Sequence, residues 1–190
     1  SLPKDVIHRI LDACCSLSAS VPVLCGFHHI YYPENDNAAM QHEIQRYYRN
    51  PQVVPYDDLY AVDEPILKVA LCDTNGPTKE AYPVMHEALG DAYELLISGD
   101  CWMDIMCKGV TKGAALQGLQ ERMGITPAET MAFGDYDNDI SMLQHAEFSY
   151  AMENASERVR QQAKHIAPAN TKNGVVRVLC ETLGIHMESL

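Results

Sequence analysis

Residues 133–139 read Phe-Gly-Asp-Tyr-Asp-Asn-Asp, and this stretch decides the fold class of the chain. It follows an apolar segment that predicts a short strand over residues 130–133, and it opens a predicted helix over residues 137–145. A polar loop between a strand and a helix lies at the carboxyl end of a parallel strand, where ligands bind in open α/β sheets. Gly134 lets the backbone turn sharply without a side chain that would obstruct the site.

The loop concentrates negative charge. Asp135, Asp137 and Asp139 lie within five residues of one another, together with the amide of Asn138. Neighbouring carboxylates repel one another unless a cation or a set of hydrogen-bond donors is present. Mg²⁺ prefers oxygen ligands and keeps several waters, so it suits a site with few protein ligands. The sequence therefore predicts Mg²⁺ as the cofactor of this loop.

The spacing of the three aspartates also imitates the start of an EF-hand loop. Such a loop starting at Asp135 would need Gly at its sixth position and Glu at its twelfth, but Ile140 and Ala146 stand there. The EF-hand interpretation therefore fails. Aspartates at a helix start can also serve the fold alone, because they offset the positive end of the helix dipole and cap free amides. Asp137 fits this purely structural role best.

The segments around the loop extend the pattern. Strands alternate with helices after residue 107, which is typical of a parallel sheet with helical crossovers. The predicted strands are residues 130–133, 148–152 and 165–167, and the predicted helices are residues 112–123, 137–145, 155–163 and 173–183.

The earlier part of the chain has a different pattern. Strands are predicted over residues 21–27, 29–32, 66–72, 93–98 and 102–106, and helices from Pro3 and over residues 37–48 and 77–89. Lys68 is the one charged residue of the strand 66–72. The Gly99-Asp100 pair between the last two strands predicts a hairpin. We therefore predict an α/β protein in which residues 1–106 form an α+β domain with an antiparallel sheet and residues 107–190 form a parallel domain.

Composition limits the partners. The formal net charge is −12 and the pI is about 4.9, which argues against nucleic acid because phosphate backbones are bound by clustered Lys and Arg. A small phosphorylated substrate is compatible with this charge. Seven cysteines without CxxC spacing predict buried thiols in a reducing compartment. The sequence contains neither a signal-peptide pattern nor an apolar run long enough to span a membrane, so we predict a cytoplasmic location and no membrane partner.

A second motif precedes the acidic loop by one strand–helix unit. Residues 108–113 read Lys-Gly-Val-Thr-Lys-Gly, immediately before the predicted helix 112–123. A lysine at this place could reach a phosphate as a point charge. Alone, a Lys-Gly pair at a helix start is typical of a solvated lysine, but its position relative to the acidic loop favours a phosphate site.

Three motifs together resemble a known family. The Lys-Gly-Val-Thr-Lys-Gly stretch, the Gly-Asp-Tyr-Asp-Asn-Asp stretch and residues 151–155, Ala-Met-Glu-Asn-Ala, have the order and spacing of Cof-type phosphatases of the haloacid dehalogenase superfamily. The specific resemblance covers roughly residues 100–185. It implies a Rossmann-like core with an inserted α+β cap that selects the substrate. It also implies Mg²⁺-dependent hydrolysis of small phosphate monoesters, such as sugar phosphates, through an aspartyl-phosphate intermediate.

The resemblance also implies residue roles. Lys112 matches the lysine that neutralises the transferring phosphoryl group, and Lys108 is its alternative. Asp139 matches the second acidic residue, which orients that lysine or supports the metal shell. Asp135 matches the Mg²⁺ ligand, and Asn138 matches a residue that helps to hold the metal or the substrate phosphate.

Further positions concern the substrate. Asn154 matches the asparagine that lines the same end of the sheet, although Glu153 stands where the family usually has Gly. His28 and His29 lie on a predicted cap strand with Tyr31 and Tyr32, and they could contact the organic part of the substrate. Such side chains are also common on half-buried sheets.

One family motif does not occur in these 190 residues, namely the Asp-x-Asp-Gly-Thr that carries the nucleophile. Without an attacking carboxylate, Mg²⁺ and lysine have no developing charge to stabilise, so we predict no phosphatase activity for this polypeptide alone. We also predict self-association, or pairing with a segment that carries the motif, through an unpaired strand edge. The alternatives are a catalytically inactive module that binds a metal or a small molecule, and a transport ATPase domain with the same acidic signature.

Overall fold

The computed structural model describes residues 1–77 and 79–185 and divides the chain into two compact units, residues 1–110 and 111–190. Each unit has its own sheet and its own apolar core. None of the helices in the described part of the chain has the length and apolar character needed to cross a membrane.

The first unit is built on a six-stranded sheet with the strand order β3-β2-β1-β4-β6-β5. Its strands are β1 (Ser20–Gly26), β2 (Ile30–Pro33), β3 (Gln52–Val54), β4 (Ile66–Asp73), β5 (Tyr93–Gly99) and β6 (Trp102–Cys107). All neighbouring strands are antiparallel except β2 and β3, which are parallel. The short strand β3 was not predicted from the sequence, because three residues give too little alternation to detect.

Three helices cover this sheet: α1 (Lys4–Cys14), α2 (Ala38–Tyr47) and α3 (Ala81–Leu89). Helix α1 follows Pro3, and its buried residues recur at the helical period, so one apolar stripe packs into the main core. Helix α2 starts at Asn37, whose side chain accepts hydrogen bonds from two free backbone amides. It packs on the opposite face of the sheet, against a second apolar cluster that includes Trp102.

The second unit contains a three-stranded parallel sheet in the order β7 (Met131–Gly134), β8 (Phe148–Met152) and β9 (His165–Ala167). Its helices are α4 (Lys112–Met123), α5 (Ile140–Gln144), α6 (Glu157–Arg160) and α7 (Gly174–Leu183). Alanines of β7 and β8 pack against α5 and α6 on one face, while Met152, Ala167 and Val178 form a small core on the other. The predicted fold class, a parallel α/β unit joined to a unit with a mainly antiparallel sheet, is confirmed.

Several element boundaries differ from the predictions. The acidic loop enters its helix through a 3-10 turn at Asp137–Asp139, so the α-helix begins only at Ile140. Helix α6 begins two residues later than the predicted segment 155–163 because Ser156 caps it, and it already ends at Arg160. Helix α3 begins at Ala81 rather than at residue 77, and residue 78 of the predicted helix lies outside the described residues.

Candidate phosphate and metal site

The candidate site lies at the carboxyl end of β7 in the second unit. The strand ends at Gly134 and the chain then turns through the acidic loop. A Cβ at residue 134 would overlap the Asp139 side chain, with its Cγ only 2.9 Å away, so only glycine allows Asp139 to fold back over the strand end. The Phe-Gly-Asp stretch therefore has a steric reason for its glycine.

Asp139 holds the loop together from within. Its side chain is buried, with 4 % of the residue surface exposed. Oδ2 accepts hydrogen bonds from the backbone N–H groups of Asp135, at 2.9 Å, and Tyr136, at 3.1 Å. Oδ1 accepts one from the ammonium group of Lys112. Because these contacts occupy both of its oxygens, Asp139 positions the loop and the lysine.

Lys112 is the first residue of α4, and the side chain of Thr111 caps that helix by accepting from the N–H of Ala114 at 3.1 Å. Gly113 brings α4 against α5: its N–H donates to Ser141 Oγ at 3.1 Å, and a Cβ there would lie 2.6 Å from the Ser141 carbonyl oxygen. About half of the Lys112 side chain stays exposed. The ammonium group is thus fixed beside the acidic loop while still accessible to a ligand.

Asp135 and Asn138, the two predicted metal ligands, both lie in the acidic loop that follows β7. Asn154 Nδ2 donates to Asp135 Oδ2 at 3.3 Å, which links the β7 loop to the loop after β8. Asn138 Oδ1 is buried and has no hydrogen-bond partner among the described residues. A buried oxygen without a donor is costly, and a hard cation is one group that would satisfy it. The side chains present therefore fit Mg²⁺.

The described residues do not form a complete cation cage. No group of three or more His, Cys, Asp or Glu side chains in residues 1–77 and 79–185 is arranged to hold a metal ion. Asp137, the third aspartate of the loop, instead pairs with Arg158 Nη1 of α6 at 2.7 Å. The loop thus offers one carboxylate and one buried amide oxygen, and Mg²⁺ accepts few protein ligands with several waters.

The loop after β8 is shaped by Glu153, the residue that departs from the family pattern. Its carboxylate accepts from Lys172 Nζ at 2.8 Å and from the N–H of Ala169 at 3.2 Å, and these contacts lower the pKa of Glu153. The neighbouring Asn154 Oδ1 accepts from the N–H of Asn170 at 3.4 Å. Glu153 and Asn154 therefore tie this loop to residues 169–172, and Asn154 also contacts Asp135.

The other predicted substrate residues lie in the first unit. Lys108 Nζ is 3.6 Å from Glu94 Oε1. His28 and His29 lie in the turn between β1 and β2 rather than on a strand. Both contact the same carboxylate: the backbone N–H of His28 donates to Glu64 at 2.7 Å, and the His29 ring lies 3.1 Å from it.

Sequence reasoning missed Glu64, Arg158 and Ser141. Tyr31 also donates to Glu64 at 2.7 Å, and a Cβ on Gly26 would overlap the Glu64 carboxylate. The nearest sequence signal was a glycine between two strand segments, which does not identify its partner 38 positions later. Arg158 and Ser141 lack a local signal, since each acts through a neighbour that only the fold provides.

Comparison with known proteins places this geometry in a family. The sequence profile of the haloacid dehalogenase-like hydrolases matches residues 1–179, nearly the whole chain. The chain belongs to this family. The predicted resemblance is thereby confirmed, and the match includes the candidate site as well as the first unit.

Individual relatives agree with this assignment. The chain is 30% identical, over 96% of its length, to 5-amino-6-(5-phospho-D-ribitylamino)uracil phosphatase YbjI of Escherichia coli, and covers 66% of that protein. It is 27% identical, over 95% of its length, to the phosphatase of the same name, YitU, of Bacillus subtilis, and covers 67% of it. A crystal structure from Streptococcus mutans superposes with a TM-score of 0.85 at 27% identity, over 96% of this chain and 68% of that one. The chain thus spans about two thirds of the length of these relatives.

Proposed function

We propose that this chain provides the cation and phosphate part of a Mg²⁺-dependent phosphatase site that acts on small phosphate monoesters. One observation carries the proposal: Lys112, fixed by the buried Asp139, stands at the same strand end as Asp135 and the unpartnered oxygen of Asn138. A positive charge and a cation position beside one another match the charge distribution of a phosphoryl group. The family membership and the names of the two phosphatases support the same chemistry.

Each side chain has a separate task in this proposal. Asp135 and Asn138 would hold Mg²⁺, which when bound neutralises charge on the phosphoryl oxygens. Lys112 would donate to the phosphate oxygens, and Asp139 holds its ammonium group in place. Asn154 orients the Asp135 carboxylate through its amide. These tasks bind and polarise a phosphate, but none of them forms a bond to phosphorus.

The attacking group is the remaining requirement. The family nucleophile motif, Asp-x-Asp-Gly-Thr, does not occur in the 190 residues. We therefore expect the polypeptide alone to bind Mg²⁺ and phosphate without turnover, and to gain turnover when a segment with that motif is joined to it. The cytoplasmic location, the absence of nucleic-acid and membrane partners and the self-association predicted from the sequence also stay predictions.

Titration calorimetry tests the binding part. Mg²⁺, in the presence of inorganic phosphate, should bind to the chain, and Asp135→Asn should weaken binding roughly 10- to 100-fold. Asp137→Asn is a matched control because it makes the same charge change in the same loop, while its carboxylate faces Arg158. Equal loss of Mg²⁺ affinity in both variants, or no Mg²⁺ binding by the wild-type chain, would contradict the proposal.

Turnover is tested separately by phosphate release. The chain alone and a fusion that supplies the Asp-x-Asp-Gly-Thr strand are given a panel of phosphate monoesters, including 5-amino-6-(5-phospho-D-ribitylamino)uracil. We expect release only with the fusion and only with Mg²⁺. Release by the unfused chain would show that another group attacks phosphorus.

A further inference from the structure

The end of strand β4 brings two cysteines of the first unit together. Cys72, on β4, is fully buried and pairs with Trp102 of β6. Cys101 immediately precedes β6, and its carbonyl oxygen accepts from the N–H of Asp73 at 2.8 Å. The two cysteines therefore occupy neighbouring positions across an antiparallel pair, where Cα atoms are typically about 6 Å apart. A disulfide can span this distance.

Both cysteine side chains lie on the face of the sheet that α2 covers. Successive side chains of a regular strand point to opposite faces, but Cys101 lies in the turn between β5 and β6, outside either strand. Its side chain packs against the apolar cluster that contains Cys72 and Trp102. The two thiol groups are hydrogen-bonded to each other. The fold itself therefore places the two sulfur atoms in contact.

Glu43 of helix α2 lies beside this pair. Its side chain is hydrogen-bonded to the Cys101 thiol, and its Oε1 accepts from Trp102 Nε1 at 3.2 Å. Arg46 Nη1 lies 3.6 Å from the other carboxylate oxygen. Burial raises the pKa of Cys101, and the negative charge of Glu43 raises it further. Because the thiolate is the reactive form of cysteine, Glu43 keeps Cys101 in its less reactive form at neutral pH.

The two thiols differ in exposure and in acidity. Cys101 is half-buried, so an oxidant can reach it, whereas Cys72 lies behind it without exposed surface. Burial raises the pKa of Cys72 to about 12, and Asp73 adds to this effect. Asp100 likewise adds to the effect of burial on Cys101, but the hydrogen bond between the thiols lowers the pKa of Cys101 and raises that of Cys72. Cys101 is therefore the thiol placed to attack an oxidant, and Cys72 is placed to react with the product.

We propose that Cys72 and Cys101 form a reversible disulfide when the chain reacts with a peroxide. In the first step the Cys101 sulfur attacks one oxygen of hydrogen peroxide, so that an S–O bond forms and the O–O bond breaks. The second oxygen leaves as water with the proton of the Cys101 thiol, and Cys101 becomes a sulfenic acid.

In the second step the Cys72 sulfur attacks the sulfur of this sulfenic acid. The S–S bond forms, the S–O bond breaks, and the leaving hydroxide takes the proton of Cys72 as a second water. Two thiols are thereby oxidised to one disulfide, and one hydrogen peroxide is reduced to two waters. A thiol reductant reverses the bond, which would keep it transient in a reducing compartment. The site lies within the first unit and does not depend on the proposed phosphatase function.

Peptide mapping by mass spectrometry tests the bond. Cys107→Ser serves as the parent chain, because Cys101 and Cys107 share the tryptic peptide 80–108, whereas Cys72 lies in the peptide 69–79. The chain is treated with hydrogen peroxide at low protein concentration, and the remaining free thiols are then blocked. The two peptides should be joined, and dithiothreitol should separate them. Non-reducing electrophoresis should show that the bond lies within one chain.

The exposed Cys15 reports that the oxidant has acted. Peptides 69–79 and 80–108 recovered separately with blocked thiols, while Cys15 is oxidised, would overturn the proposal. A bond from either peptide to the peptide 10–46, which carries Cys15, would also overturn it. When Cys101→Ser is added to the parent chain, Cys72 should stay a free thiol after the same treatment. Oxidation of Cys72 in that variant would contradict the role of Cys101 as the attacking thiol.

The role of Glu43 is tested by the pH dependence of alkylation. The rate at which iodoacetamide modifies Cys101 is measured against pH from the mass of peptide 80–108 in the parent chain. Glu43→Gln keeps an acceptor for Trp102 but removes the negative charge, so it should shift the profile to lower pH and raise the rate at pH 7 about threefold. Glu87→Gln, on the exposed side of α3, should leave the profile unchanged. An unchanged profile in Glu43→Gln would overturn the control of Cys101 by Glu43.

Urea unfolding tests whether the native sheet accommodates the bond. The disulfide connects β4 to the start of β6 and encloses α3 and β5, so it restricts the unfolded chain. The peroxide-treated parent chain should therefore unfold at a higher urea concentration than the reduced chain, and dithiothreitol should remove the difference. The Cys101→Ser chain should show no such shift after the same treatment. A lower midpoint after oxidation would mean that the bond distorts the sheet, and it would contradict a disulfide that the native contact permits.

Discussion

The ammonium group of Lys112 and the carboxylate of Asp139 form an ion pair in which the carboxylate also accepts two backbone N–H groups of its own loop. The lysine comes from the start of α4 and the aspartate from the 3-10 turn after β7. One buried side chain thus fixes both the fold of the acidic loop and the place of the cation that faces a ligand.

Lys112→Met is expected to weaken phosphate binding and stability together. Removing the ammonium group leaves the buried Asp139 carboxylate with its backbone donors alone, which should cost about 1–3 kcal/mol in the free energy of unfolding. Urea unfolding and phosphate titration measure the two effects. Lys164→Met, which breaks an exposed pair with Glu147, should change stability by less than about 1 kcal/mol. Similar losses of stability in the two variants would show that the burial of Asp139 does not increase the cost of removing its cation.

Gly134→Ala is expected to disrupt the site by steric overlap. The added methyl group must displace the Asp139 side chain, so we expect a loss of about 1–3 kcal/mol in stability and a weaker affinity for Mg²⁺. Gly118→Ala is the control, since its Cβ meets open space within helix α4 and should stabilise the chain by about 0.5–1 kcal/mol. Thermal unfolding of both variants compares the effects, and a neutral Gly134→Ala would be inconsistent with the described loop.

Glu64 is expected to give the first unit a stability that depends on acid pH. The backbone N–H of His28, followed by the hydroxyl of Tyr31, lowers the pKa of Glu64 from 4.5 to about 2. Because the folded-state pKa is the lower one, the stabilisation is complete above pH 4.5 and is lost as the pH falls toward 2.

The measurement is urea unfolding followed by the fluorescence of Trp102, which lies in the same unit and is the single tryptophan of the chain. The difference in unfolding free energy between wild type and Glu64→Gln should shrink as the pH is lowered through this range. Glu87→Gln, on the exposed side of α3, serves as the reference substitution. If this difference in unfolding free energy does not change with pH, the hydrogen bonds to Glu64 do not favour its carboxylate over the protonated form.

The Lys68–Asp104 pair is expected to show strong non-additivity in stability. Lys68→Met alone leaves a largely buried carboxylate without its cation and should destabilise the chain by about 2–4 kcal/mol, whereas the double variant with Asp104→Leu should lie within about 1 kcal/mol of wild type. A double-mutant cycle by urea unfolding measures the coupling. A double variant as unstable as the single one would assign the pair a packing role.

Much of the parallel unit could be predicted from the sequence. Helix α4 and strands β8 and β9 have the predicted bounds. The end of α4 is marked in the sequence by Gly124, which stops the helix. The acidic loop was found because three aspartates and an asparagine between a strand and a helix form a local pattern. Lys112 and Asp139 were paired only through the family resemblance, and the structure shows them in contact.

Features that depend on distant contacts could not be predicted in this way. Strand β3 pairs with β2 in parallel, and helix α2 connects the two strands. Such a pair has no tight turn that would mark it in the sequence. Glu64 is recognised only when Gly26, His28 and Tyr31 surround it. The Lys68–Asp104 pair depends on the register of β4 and β6, and in the sequence Lys68 is only one charged residue in an apolar run.

The contact between Gly113 and Ser141 limits which residues can replace Gly113. Helix α4, which carries Lys112, and helix α5, which follows Asp139, touch at this point. A Cβ at position 113 would meet backbone atoms of Ser141, so repacking a side chain cannot make room for a larger residue. Any side chain at position 113 would therefore push α4 away from α5 and carry the Lys112 ammonium group away from the Asp139 carboxylate.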